Sequence, residues 1–145
     1  MSEHDDLANA IESGDGPSVE RILKQHPELV NSPDWVPPPL HCAVLWNQPK
    51  IASILLDCGA DIELPDPDRQ TTPLRYAIVF CKKDLIPLLL SRGANAGPII
   101  ENGTSALQLA VDAANGEFEE FDDMPSRTDY VEIVALLKEV RSASD

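Results

Sequence analysis

His41 stands directly before Cys42, and an imidazole beside a thiol is the first pair in this chain that could do covalent chemistry, a base drawing the proton from a sulfur nucleophile. On a helix, however, adjacent side chains point about 100° apart, so neither activates the other. A second set is Asp61, Glu63, Asp66 and Asp68, hard oxygen donors on a Pro-rich turn of the sort calcium takes. The Gly and the distal Glu of a calcium loop are missing, and these acids read as a solvated finger. The third set, from Glu117 to Asp123, packs five carboxylates into seven residues without His or Cys and reads the same way. No Gly-rich phosphate loop, Ser-His-Asp arrangement or paired acid and base follows. The chain is therefore expected to have no catalytic, metal or cofactor site.

Cys42, Cys58 and Cys81 are odd in number and lack CxxC spacing, so neither a disulfide framework nor a zinc site is indicated, and they read as small buried apolar residues. Arg75, Lys82 and Lys83 form the only basic cluster, expected as a solvated helix end. Against 25 Asp plus Glu stand 11 Lys plus Arg, a net charge of -14 over 145 residues. Such a chain repels nucleic acid and anionic membranes and attracts basic partners. No apolar run reaches the length of a membrane span, and Met1 to Asp6 is acidic where a secretory signal is basic, so a cytoplasmic protein is expected.

The elements that carry these residues recur. Ala10 returns as Ala43, Ala77 and Ala110, and the Leu three residues before it as Leu40, Leu74 and Leu107, at intervals of 33, 34 and 33 residues. A period of that size, each copy reading as helix, turn, helix, indicates repeats stacked into a solenoid. In the second copy Pro38-Pro39-Leu40-His41-Cys42-Ala43 opens a short helix, and Lys50 to Cys58 makes an amphipathic one that Gly59 stops. In the third, Thr72-Pro73-Leu74-Arg75-Tyr76-Ala77 is followed by a helix through Leu88-Leu89-Leu90, closed by Gly93. Proline at 39 and 73 suits a first helical turn, and Pro87 is tolerable if Asp84 caps its helix.

The first copy ends in His26 to Asn31 where a Gly-Ala would close the others, which suits a terminal cap. The fourth, with helices at Ser105 to Ala110 and Val131 to Val140, carries about 13 extra residues between them. Residues 101–145 hold 11 acidic and 3 basic side chains, a net of -8.

Thr-Pro-Leu-x-x-Ala, a second helix ending Leu-Leu-Leu and then Gly-Ala-Asn, together with Cys58-Gly59-Ala60-Asp61-Ile62 one copy earlier, resembles the ankyrin repeat family from residue 5 to about 141. The resemblance implies an all-α solenoid of four helix-turn-helix repeats with short fingers. It implies one domain over 1–145, with repeats at about 5–35, 36–68, 69–101 and 102–141 and an acidic insert at about 116–128. It further implies that His41 ties its repeat to the next through backbone hydrogen bonds.

With Leu40 as the centre of the core stripe, Ala43 and Val44 fall near it, while Leu45 and Trp46 fall at roughly 140° and 240°. Val79 and Phe80 take the same places around Leu74, and Glu12, Ser13, Asp112 and Ala113 take them in the outer repeats. In ankyrin-like repeats these positions line the concave face that holds partners, which makes Leu45, Trp46, Val79 and Phe80 candidate anchors and Glu12 and Asp112 their polar border. Packing against the neighbouring repeat is the other reading of each apolar pair. Trp35, on the first finger, is either a further anchor or a lid over the first repeat. Asp66, Asp68, Glu119 and Glu120 are expected to steer a basic partner.

The function expected is a non-enzymatic protein-binding module, monomeric when free, with a basic protein as partner. A second expectation is a small inhibitor or immunity protein that neutralises a basic enzyme or toxin such as a nuclease. A metal-dependent hydrolase built on the acidic clusters and a self-associating structural module are the remaining classes.

Overall fold

The computed structural model of the chain describes residues 2–32, 37–67, 71–96, 105–115 and 127–144. Ser2 starts α1 (Glu3–Ser13): its hydroxyl accepts the Asp5 N–H while the Asp5 carboxylate accepts the N–H of Ser2, satisfying donors that a first turn leaves orphaned. Asp15 caps α2 (Gly16–Gln25) in the same sense through the Ser18 N–H. A 3-10 turn, Pro27–Asn31, follows and buries Leu29 and Val30. Proline opens α3 (Pro39–Leu45), α4 (Pro49–Asp57) and α5 (Pro73–Val79), where a missing N–H costs nothing. Thr72 caps α5 and Ser105 caps α7 (Ala106–Ala114), each side-chain oxygen accepting the N–H three residues on. Between them lies α6 (Leu85–Ser91), and α8 (Arg127–Ser144) completes the order. Among the described residues every regular element is helical.

The eight α-helices of the described residues form four pairs, and the pairs stack: α1 on α3, α3 on α5 and α5 on α7 in one row, α2 on α4 and α4 on α6 in the other, with α8 packed on α7. Leu7, Leu40 and Leu74 of the first row and Ile51, Leu55, Leu85 and Leu89 of the second sit in one continuous core. This is the all-α repeat solenoid that the period indicates.

Three of the turns inside the pairs close identically. Gly14, Asn47 and Cys81 donate to the carbonyls of Ile11, Val44 and Ile78, and the next residues, Asp15, Gln48 and Lys82, donate to Ala10, Ala43 and Ala77. This closure requires a left-handed residue, and φ is 74° at Gly14, 52° at Asn47 and 56° at Cys81. Glycine and asparagine accept that conformation; cysteine is strained in it by about 1–2 kcal/mol. Cys81→Gly is accordingly expected to stabilise the fold by about 1 kcal/mol, seen as a higher urea midpoint at unchanged slope. A lower midpoint would mean that the packing of the Cys81 side chain outweighs the strain.

Neighbouring pairs are also tied by polar groups. The Asn31 amide donates to Gly59 O at 3.0 Å and its oxygen accepts the Asp61 N–H at 2.9 Å. One repeat on, Glu63 accepts the Asn95 N–H at 2.7 Å. Gln48 donates to Glu12 O, and Arg92 reaches back to Ser53 O and the Asp57 carboxylate. Asn31 and Glu63 thus hold the same place in successive repeats, each accepting a backbone N–H of the next finger.

Several expectations need correcting. Asp66 is only 4% exposed, so it is not part of a solvated finger: its N–H donates to Thr71 O at 2.9 Å, folding the finger back on itself. Asp84 precedes α6 without a side-chain cap. The last helix begins at Arg127, four residues before Val131, because Tyr130 joins Ile133 and Leu137 at helical spacing in the buried stripe. The cysteines are half-buried, not sealed.

Candidate functional site

The off-stripe residues sit where the first helices end. Trp46 and Phe80 are the C-cap residues of α3 and α5, each directly before a left-handed turn residue. Trp46 is 50% exposed, although most of the described large apolar side chains are buried. Leu45, Val79 and Phe80 are half-buried and pack against the core. Phe80 leans on Tyr76, ring centroids 4.7 Å apart, and Tyr76 meets His41 edge-on at 5.3 Å. The two readings of the apolar pairs therefore divide between residues: three contribute packing, and Trp46 projects. Before Trp46 in the row, Glu12 and Ser13 are exposed; beyond Phe80, Ala113 is buried and Asp112, half-buried, accepts the Gln108 amide at 2.8 Å. Trp35, Asp68, Glu119 and Glu120, and the insert from 116 to 126, lie outside the described residues.

His41 is fully buried, and its Nε2–H donates to Thr71 O of the next repeat at 2.7 Å, 30 residues along the chain. Burial holds its pKa below the usual histidine value, with the Thr71 bond and the Asp66 charge opposing. Nδ1 has no hydrogen-bond partner among the described residues. This ring is a structural tie. Burial raises the Cys42 thiol to about 11 and pushes Cys58 and Cys81 upward as well, so the thiolate that a nucleophile needs is disfavoured at all three. Glu63 is spent on the Asn95 N–H, Asp61 accepts the Glu63 N–H, and among the described residues no three metal-ligating side chains converge.

The basic cluster is not a free helix end. Lys83 Nζ donates to Asp129 Oδ1 at 2.8 Å and to Glu132 Oε2 at 2.5 Å, and these bonds hold its pKa above the ordinary lysine value. Beside it the Tyr130 hydroxyl donates to Val79 O at 2.6 Å. Together they fasten the start of α8 to the end of α5 and the turn after it. Sequence reasoning missed this clasp because its partners lie 46, 49 and 51 residues apart, outside the repeat period. On the second-helix row an open groove of about 740 Å³ lies between α2 and α4, floored by Ile54 and rimmed by Glu20, Arg21, Lys24 and Asp57. Its rim mixes both charges and defines no ligand.

Among the described residues the helix ends thus offer a row of side chains with one projecting aromatic and a polar border on the N-terminal side. Among the described residues no helix is long and apolar enough to cross a membrane. Comparison with known proteins finds ankyrin repeats, in three copies, over residues 7–99. The NF-kappa-B inhibitor alpha of Sus scrofa is 38% identical over 99 residues, 68% of this chain. The chain spans 28% of that relative's length.

Proposed function

The chain belongs to the ankyrin-repeat family, and from that premise we propose that it is a non-enzymatic module that binds a basic protein across the ends of its first helices, with Trp46 as the central anchor. The observation that carries this reading is the half-exposed indole: among the described residues the exposed large apolar side chains are Trp46 and Val131, and Trp46 is the aromatic one. Tryptophan in a polar surround is a favoured anchor of protein interfaces. The net charge of -14 supplies the attraction for a basic partner. We take residues 1–145 as one domain, the pair α7–α8 being its fourth and most diverged repeat, monomeric when free and cytoplasmic.

A photo-crosslinking residue at exposed Ser13 identifies the partner in cells. Surface plasmon resonance then tests the anchor and the field separately. Trp46→Ala is expected to weaken binding by about 2 kcal/mol or more, mainly through faster dissociation. Neutralising exposed Glu12 and Asp61 is expected instead to slow association and flatten its salt dependence. Trp46→Ala binding like the parent removes the site, and association that ignores salt removes the basic partner.

A second reading is favoured by the relative, which is an inhibitor. Here the acidic surface would occupy a basic functional face of the partner. Loss of the partner's own activity on adding the chain, restored by Trp46→Ala, distinguishes inhibition from mere attachment.

A further inference from the structure

Among the described residues α7 is the last member of the first-helix row, and its outer face is less covered than those before it. Leu7, Leu40 and Leu74 hold one register position and Ile11, Val44 and Ile78 another, and all six are at most 3% exposed. Each of these helices is followed by another that packs over it. Leu107 and Val111 hold the same positions in α7, yet both are partly open to solvent. On α8, Val134 matches Ala52 and Ile86 in register; those two are sealed, whereas Val134 is partly open and neighbouring Val131 is 56% exposed. Terminal repeats ordinarily cover such an end with polar side chains. At the other end α1 does so, exposing Glu3, Asp6, Asn9 and Glu12.

We propose that this C-terminal end of the stack docks an amphipathic helix of a partner protein, one with an Ala/Leu stripe flanked by Lys or Arg. The shape follows from the repeats themselves, where the same positions are covered by a helix carrying a sealed alanine: Ala43 in α3, Ala77 in α5 and Ala110 in α7. The charge follows from the rim. Glu132 and Glu139 are exposed about 90° around α8 from Val131, Asp112 lies on α7, and residues 101–145 carry a net of -8. Two copies meeting end to end would oppose like charges around an apolar centre, while a basic helix would find both its stripe and its flanks matched. The surface is distinct from the Trp46 site, so either can fail alone.

The probe is a short synthetic helix of Ala, Leu and Lys with its leucines on one face. Its controls are a peptide of the same composition with the leucines scattered and one with Glu in place of Lys. By calorimetry only the first is expected to bind the full chain. Val111→Ser combined with Val131→Ser is expected to weaken it by about tenfold or more, and Trp46→Ala to leave it unchanged. Val131→Ser alone alters a side chain already in solvent, so its weaker binding is read on a folded protein. Amide exchange should slow in 106–114 and 127–144 when the peptide is bound. The proposal is overturned if no peptide binds, if the scattered peptide binds equally, or if Trp46→Ala abolishes binding. It is also overturned if the chain alone sediments as a dimer that Val131→Ser dissociates, since the occupant is then a second copy.

Discussion

Leu89→Ala is expected to lower the unfolding free energy by about 2–5 kcal/mol, a large share of what a domain of this size possesses. Leu89 is fully buried in α6, whose neighbours are α5 within the pair and α4 in the row. Truncation removes transfer free energy and leaves a cavity that close-packed neighbours refill only in part. The deficit does not stay local, because each pair is covered by the next and a loosened α6 uncovers α5. Urea melts followed by circular dichroism should show one transition at a reduced midpoint. Coincident melts of variant and parent would place Leu89 outside the core.

The second large effect belongs to His41→Ala, expected to cost about 3 kcal/mol at neutral pH. The change empties a sealed ring site, leaves the Thr71 carbonyl without its donor and removes the edge contact to Tyr76. Its pH dependence sets it apart from a plain core truncation. The folded-state pKa of His41 is depressed, chiefly by burial, from an unfolded value of 6.5. Above that value the neutral ring is free of penalty in both states. Below it the unfolded chain takes up a proton that the folded chain resists, so stability falls as pH drops from 6.5 toward the depressed value, by up to about 1.4 kcal/mol per pH unit. The variant lacks this contribution, and the cost of His41→Ala should therefore shrink between pH 7.5 and 5. A cost that is constant with pH would mean that the imidazole titrates as freely in the fold as in the unfolded chain, and a cost that grows toward low pH would mean that the fold favours the protonated ring. Carboxylate titration in so acidic a chain affects parent and variant alike and cancels in the difference.

These two residues also show what could be read from sequence. Leu89 was legible because burial in a stack is periodic, and a periodic demand leaves a periodic trace: the Leu and Ala of the first helix recur in all four copies, and the closing Gly in the second and third. His41 was legible through the family resemblance, not through spacing. Asp66 was not, since a carboxylate in a Pro-rich turn is ordinarily exposed and only the folding back of the finger onto Thr71 buries it. Tyr76 lies well off the stripe that Leu74 defines, yet it is buried, because a helix inside a solenoid is covered on more than one side. The strain at Cys81 is invisible in the residue type and emerges only when its register with Gly14 and Asn47 is set beside the dihedral angle. For the candidate anchors, the angular argument placed Leu45, Trp46, Val79 and Phe80 off the buried stripe but could not separate projecting Trp46 from Phe80, whose ring Tyr76 holds.

The clasp of Lys83 and Tyr130 bears on how the chain assembles. The ties among the first three pairs span 28 to 39 residues, so each costs nearly the same loss of chain freedom to close. Joining Tyr130 to Val79 closes 51 residues, against 30 for His41 to Thr71. Since loop entropy grows only with the logarithm of length, the difference amounts to about 0.5 kcal/mol. That is a factor of only about two in closure, so the final pair closes on nearly the same terms as the others. The difference is also small enough that additional chain can be lodged between α7 and α8 at almost no thermodynamic cost, which makes that junction the place where this scaffold can lengthen without unravelling.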